Sequence, residues 1–210
     1  ETNAHPHADA KETVWLVHNG IIENHAELKE ALAKRGIKFR SDTDTEVLAH
    51  LIGSYHKTLP LQEAVAKALK EVRGTYGLAV MSAKEPETIV AARLGSPLML
   101  GIGKDDYYIA SDATPMLKQT RDVIYLDDGE IAVVTKSGYA ISTLDLAPIL
   151  KKTETLEWDA EAIQKKGFEY FMLKEIMEIP ETIENTLRGR LLPDGDVNLG
   201  GLRDALPRLK

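Results

Sequence analysis

"LDDGEIAVVTKSGYAIST", Leu126–Thr143, is the stretch from which the fold class follows. It carries two β-rich runs, Glu130–Thr135 and Tyr139–Thr143, preceded by the triplets Asp127-Asp128-Gly129 and Lys136-Ser137-Gly138. Asp, Ser and Gly accept the backbone angles of tight turns, so both joints read as hairpins and the strands as largely antiparallel. Upstream, Thr75–Ser82, Thr88–Ala92, Leu98–Ile102, Tyr107–Ala110 and Val123–Leu126 are further short β-rich runs, set apart by Pro, Gly and Asp.

Before Gly74 the apolar period is helical. Val14–Val17 reads as a short buried strand ending at Asn19-Gly20, and Asn24 with Glu27 forms a capping-box pattern. The helix that follows carries Leu28, Ala31 and Leu32 on one stripe, and Gly36 suits its end. Thr43 with Glu46 makes a second box (Ser41 with Asp44 is a competing frame) ahead of Val47, Leu48, Leu51, Ile52 and Tyr55. After Pro60, Leu61, Ala64, Val65, Ala68, Leu69 and Val72 share one helical face. Together these predict an α+β domain in which a helix pair covers a sheet face.

The domain is expected to occupy residues 1–150, followed by a charged, aperiodic linker over 151–167. Helical spacing returns over Phe168–Arg188 within a third segment, 168–210, and Pro180 is expected to end one helix and begin another. The last twenty residues, rich in Gly, Pro and Asp, read as the approach to a further domain.

Composition narrows the function classes. With 26 Lys and Arg against 33 Asp and Glu, the net charge of −7 argues against broad nucleic-acid binding, which needs a basic surface. No apolar run nears the ~20 residues of a membrane span, so no membrane partner is expected and the cytoplasm is the default location. Cysteine is absent, which excludes disulfides, thiolate metal sites and a cysteine nucleophile among these residues.

Two candidate sites stand out. Asn19-Gly20 is first of all a turn signal, but an Asn side-chain NH₂ and a glycine N–H also make a donor pair suited to an oxyanion. Asp44, at a helix entrance inside "SDTDTE", is favoured there by the macrodipole and is equally placed to take a substrate ammonium group. His5, His7, His18 and His25 lack a metal-ligand spacing, and His18 reads as a satisfied structural histidine. Gly101-Ile102-Gly103 reads as a strand-to-strand turn, Arg93–Leu98 as a loop, and Ser111-Asp112 as a cap for the segment ending at Leu117.

Several motifs occur in one order: "NAHPH" at Asn3–His7, "VHNGIIENH" at Val17–His25, "SDTDTEV" at Ser41–Val47 and "GTYGLAVM" at Gly74–Met81. "AARLGSPLMLGIG" at Ala91–Gly103, "IASD" at Ile109–Asp112 and "LDDGEIAVV" at Leu126–Val134 continue it. The series resembles the class II glutamine amidotransferases, and within them the glutaminase domains of the glutamine–fructose-6-phosphate aminotransferases. "YFMLKEIMEIPETIENTLRGR", Tyr170–Arg190, is similar to the segment that opens the sugar-isomerase half of those enzymes.

The resemblance implies an N-terminal-nucleophile hydrolase fold, a four-layer αββα sandwich incomplete at its N-terminus. It implies a reaction in which an N-terminal cysteine attacks the L-glutamine side-chain amide. Asn19 and the Gly20 N–H would hold the oxyanion, Asp44 the glutamine α-ammonium, and His5 would lie in the closing region of the pocket. Ammonia would pass to fructose 6-phosphate in the isomerase half, giving glucosamine 6-phosphate for amino-sugar synthesis. The enzyme would act without a cofactor, as a homodimer. The motif with the family's carboxylate-binding arginine and the cysteine are not among these residues, so the chain is expected to be an inactive fragment with apolar sheet faces uncovered. Two alternatives stay open: a glutaminase half serving another acceptor, and a non-catalytic glutamine-binding module.

Overall fold

Alternation with a period of two decides how the sheets stack. Along Val14–Ile22 the even residues Val14, Leu16 and Ile22 are buried, while Trp15, Val17 and Ile21 are exposed. The computed structural model describes residues 2–156 and 167–187. Two compact units result, Glu1–Glu157 and Trp158–Lys210.

In the first unit, β1 (His7–Ala8), β2 (Val14–Ile22), β3 (Gly74–Ser82), β4 (Glu85–Leu94), β8 (Glu130–Thr135), β9 (Gly138–Thr143) and β10 (Pro148–Ile149) form a seven-stranded sheet in the order β1-β2-β3-β4-β8-β9-β10. A second sheet joins β5 (Met99–Ile102), β6 (Tyr107–Ala110), β7 (Asp122–Tyr125) and β11 (Glu154–Thr155) in the order β11-β7-β5-β6. All these named strand pairs are antiparallel. Helices α1 (His25–Lys34), α2 (Asp44–Tyr55) and α3 (Leu61–Leu69) cover one face of the larger sheet, with α2 lying on β2 and α3 reaching β4.

Three cores follow from this layering. The largest joins Val47, Leu48, Ile52, Leu61, Val65 and Leu69 of the helices to Leu16, Leu78, Val80, Val90 and Ile131 of the sheet. The second lies between the sheets, where Ala91, Ala132, Val134 and Ile141 meet Leu98, Leu100, Ile124 and Leu126. The third places Ala113, Met116 and Leu156 against Met99 and Val123 on the far face of the smaller sheet. The mixed α+β architecture with antiparallel sheets is as expected. Among the described residues of this unit, the only helical turn beyond β6 is the short Thr114–Met116 segment. On β2 and β3 the face opposite the helices is bare, with Trp15 39%, Val17 44%, Ile21 67% and Met81 46% exposed.

Several local expectations change. Lys136-Ser137 is the hairpin expected, pairing Thr135 with Gly138. Asp127-Asp128-Gly129 is not a hairpin, because β7 and β8 lie in different sheets and the triplet carries the chain between them. Asn24 does not close a capping box: its side chain bridges Glu71 O and the Arg73 N–H, and Glu27 pairs with Arg73. Ala31 faces solvent, leaving Leu32 buried and Leu28 partly so. The first residues of the expected linker belong to the smaller sheet: Glu154–Thr155 pairs with β7, and Lys151 binds Asp127 and Glu130. Residues 157–166 and 188–210, with the rest of that linker and the Gly/Pro/Asp-rich tail, lie outside the described residues.

In the second unit, α4 (Phe171–Leu187) runs unbroken through Pro180. Proline removes one i→i−4 donor and does not force a stop where both flanks keep helical angles.

Candidate active site

Asn19-Gly20 is not a turn. It lies inside β2, with Asn19 opposite Gly77 and Gly20 opposite Tyr76 on β3. The local signal was sound, since Gly20 has φ +136°, an angle that L side chains rarely adopt. A Cβ there would overlap the carbonyl of Thr75, and one on Gly74 (φ +127°) would overlap that of Ile21. Gly20, opposite Tyr76, and Gly74, opposite Ile22, let the two backbones approach near the end of the ladder. Asn19 is exposed, and its Nδ2 lies 3.5 Å from Ser111 Oγ on the loop after β6. A cleft of about 370 Å³ opens beside it, lined among others by Val17, Leu98, Ile109 and Asp112.

The N-terminus of α2 meets this same strand. Thr43 is the N-cap, its Oγ1 accepting from the Glu46 N–H at 3.2 Å. The reciprocal half of the box is rebuilt, because the buried Glu46 carboxylate turns back onto the preceding loop to accept from Arg40 N, Ser41 N and Ser41 Oγ, each at 2.7 Å. The chain entering α2 is thereby tied to the first turn. Asp44 is therefore free of capping duty, and its Oδ2 accepts from the Ile22 N–H at 2.7 Å. The carboxylate sits half-buried two residues from Gly20 along the strand.

The histidines explain the spacing of "HPH" and "TDT". His7 Nε2 lies 3.2 Å from Thr43 Oγ1, and His5 Nε2 lies 3.2 Å from Thr45 Oγ1. The two alternating motifs therefore dock in register, one on each side of Asp44. On the other side of Thr45, His18 Nδ1 is 3.2 Å from the same hydroxyl, while its Nε2 is 3.3 Å from Thr75 O. His25 is spent on Ile22 O at 2.8 Å. Among the described residues no group of three or more His, Cys, Asp or Glu is arranged to hold a metal ion.

Burial sets the protonation states here. It pushes His18 and His7 below the ordinary imidazole value, with the His5 charge adding to the effect on His7. For Glu46, burial alone would raise the carboxyl, and the hydrogen bonds from Ser41 and Arg40 outweigh it, so it lies below the ordinary value.

Of the residues singled out from sequence, Asp44 and His5 are brought together through Thr45. Asn19 lies on the opposite face of the sheet from His18, because neighbouring strand residues alternate. Thr45 went unassigned in sequence, hinted at only by the matched two-residue spacing of the His and Thr pairs; His18 is the satisfied histidine expected, while Ser111 beside Asn19 and Glu46 bound to Arg40 and Ser41 have partners that their reading as caps did not name. Arg93 is a strand residue rather than part of a loop, and it ties the turns together through Ser96 O, Leu126 O and Asp128. Gly103 opens the turn between β5 and β6, and Asp112 caps the following segment by accepting from the Thr114 N–H at 2.7 Å.

The glutamine amidotransferase domain family matches residues 1–118, more than half of the chain. The chain belongs to the glutamine amidotransferase family. Its relatives include the isomerizing glutamine–fructose-6-phosphate aminotransferases of Chlorobaculum tepidum, 48% identical over 100% of this chain and 35% of that protein, and of Thermus thermophilus, 47% identical over 95% and 33%. The chain thus spans about a third of the length of the curated relatives it matches. The Bacillus subtilis glutamine phosphoribosylpyrophosphate amidotransferase structure shares its fold, with TM-score 0.56 and 25% identity over 67% of this chain and 31% of that one. A class-II glutamine aminotransferase domain protein of Silicibacter pomeroyi does so with TM-score 0.53 and 22% identity, over 69% of this chain and 72% of that one. The fold is that of the N-terminal-nucleophile type of glutamine amidotransferase.

Proposed function

We propose that this chain is the glutaminase part of a glutamine–fructose-6-phosphate aminotransferase. The observation that carries the reading is the placement of Asn19, Gly20 and Ile22, whose N–H anchors Asp44, within four residues of one strand, in a chain 46–48% identical to several aminotransferases of that name. Asp44, held by the Ile22 N–H, takes the α-ammonium of L-glutamine, and His5 lies in the closing region of that pocket. The Asn19 amide and the Gly20 N–H stabilise the oxyanion formed when the side-chain amide is attacked. These 210 residues hold no cysteine, so a polypeptide limited to them has no thiol for that attack and does not hydrolyse glutamine. In the whole enzyme, ammonia passes to fructose 6-phosphate and glucosamine 6-phosphate is formed. The proposed organisation is a glutaminase region over 1–150 extended by the strand Glu154–Thr155, a linker over the remainder up to 167 and the start of the isomerase region over 168–210, in a cytoplasmic homodimer.

The test uses an enzyme carrying these residues together with its nucleophilic cysteine. Asn19→Ala lowers kcat for glutamine hydrolysis by about 10²–10³, because the oxyanion exists only on the way through the transition state. Asp44→Ala instead raises KM for glutamine. An Asn19→Ala enzyme changed only in KM would overturn the oxyanion assignment, and an unchanged KM in Asp44→Ala would overturn the ammonium assignment.

A further inference from the structure

The hydroxyl of Thr45 lies within 3.2 Å of two imidazole nitrogens, His18 Nδ1 and His5 Nε2, and 3.4 Å from Asp44 Oδ1. One hydroxyl has one proton, so the three contacts cannot all be donated bonds. The direction of each bond follows from the far end of the chain. His18 Nε2 faces the carbonyl of Thr75, which only accepts, so Nε2 carries the proton. His18 is 4% exposed, and burial favours its neutral form. A neutral imidazole protonated at Nε2 has a bare Nδ1, and for His18 the only donor at that atom among the described residues is the Thr45 hydroxyl. Leaving that buried nitrogen bare would cost about 1–3 kcal/mol. Asp44 has the Ile22 N–H already and is half-exposed, so it loses little when the proton goes to His18. With its proton spent, Thr45 Oγ1 can only accept from His5, which places a proton on His5 Nε2.

We propose that Thr45 is a positioning residue: its hydroxyl, oriented by His18, holds His5 with Nε2 protonated and Nδ1 bare, as an acceptor for a substrate N–H beside Asp44. The role toward substrate rests on the reading of Asp44 and His5 as glutamine-binding groups. The bond polarity itself does not. The ordered path Thr75 O, His18, Thr45, His5 starts on the carbonyl of a β3 residue and ends on exposed His5, so a strand sets the orientation of a surface side chain.

Long-range ¹H–¹⁵N correlation spectra of the ¹⁵N-labelled 210-residue chain read the tautomers directly. His18 is expected as the Nε2–H tautomer, and neutral His5 likewise. Thr45→Val leaves His5 a mixture of tautomers, and Thr45→Ser restores the single form. A His5 protonated at Nδ1, or an unchanged His5 in Thr45→Val, would overturn the proposal, and the wild-type spectrum decides the polarity even where the valine variant fails to fold. In the cysteine-bearing enzyme, Thr45→Val raises KM for glutamine about tenfold, the worth of one hydrogen bond. Its kcat stays near that of the wild type, and Thr45→Ser returns KM to the wild-type value. A KM raised by Asp44→Ala and unmoved by Thr45→Val overturns the positioning role alone. A KM unmoved by both overturns the glutamine reading.

Discussion

Gly20 shows how a local signal can be right about an angle and wrong about its setting. Asn-Gly announces positive φ, and positive φ is found, but inside a nine-residue strand rather than between two strands. What excludes a side chain is the Thr75 carbonyl opposite, a partner 55 residues away that no local pattern names. Gly20→Ala is accordingly expected to destabilise the chain by about 2 kcal/mol or more, from the strain of a side chain at φ +136° plus the backbone overlap. Asn19→Ala, at an exposed position, is expected to stay within about 0.5 kcal/mol of wild type. Urea unfolding of both variants checks the contrast, and equal losses would remove the distinction drawn between a packing glycine and a solvent-facing amide.

Helix α2 shows the same division one scale up. Thr43 as N-cap and the apolar residues Val47, Leu48, Leu51 and Ile52 were legible, because capping and period-3.6 burial are local. The use of Glu46 was not, since its partners, the N–H groups of Arg40 and Ser41, become available only when the preceding loop folds back. Thr43→Ala should cost about 1 kcal/mol, the ordinary worth of a cap. Glu46→Ala should cost more, on the order of 3 kcal/mol, because it strips the acceptor from two N–H groups and a hydroxyl. Thermal melts of the two variants order the effects; a smaller loss in Glu46→Ala would show that water replaces the carboxylate. Pro180 and Asp127-Asp128-Gly129 belong here too. Each was read as a boundary or hairpin from residue type alone; Pro180 lies inside a helix whose two flanks both stay helical, and the triplet is decided by the different sheets that β7 and β8 join.

Across the whole molecule, three buried histidines with lowered pKa link stability to pH. His7, His18 and His50 are each held below the ordinary value of 6.5, mainly by burial. The unfolded chain therefore binds more protons as pH falls below 6.5. Stability is full above that value and is lost as pH drops through the folded-state values. Glu46, also lowered, adds stability present above its ordinary value of 4.5 and lost as pH falls further. Melting temperatures at pH 7, 6 and 5 should decline in that order, and a flat profile would contradict the buried, neutral state of these rings. The bare face of β2 and β3 is a second property of the whole: Val17→Thr with Ile21→Thr should lower binding of a hydrophobic dye with little change in melting temperature, because both side chains are already exposed.

By itself the sequence determined the elements and their class. Hydrophobic period separates helices from strands, caps and glycines mark several ends, and ordered motifs point to a glutamine amidotransferase. Tertiary structure alone decided which strands share a sheet, that Asn19-Gly20 lies inside a strand, and that Thr45 joins His5 to His18. The physical reason is range. Periodicity and capping act over three or four residues, whereas register, alternation of faces and hydrogen-bond direction depend on partners 27 to 57 residues apart, as for His18 with Thr45 and Thr75.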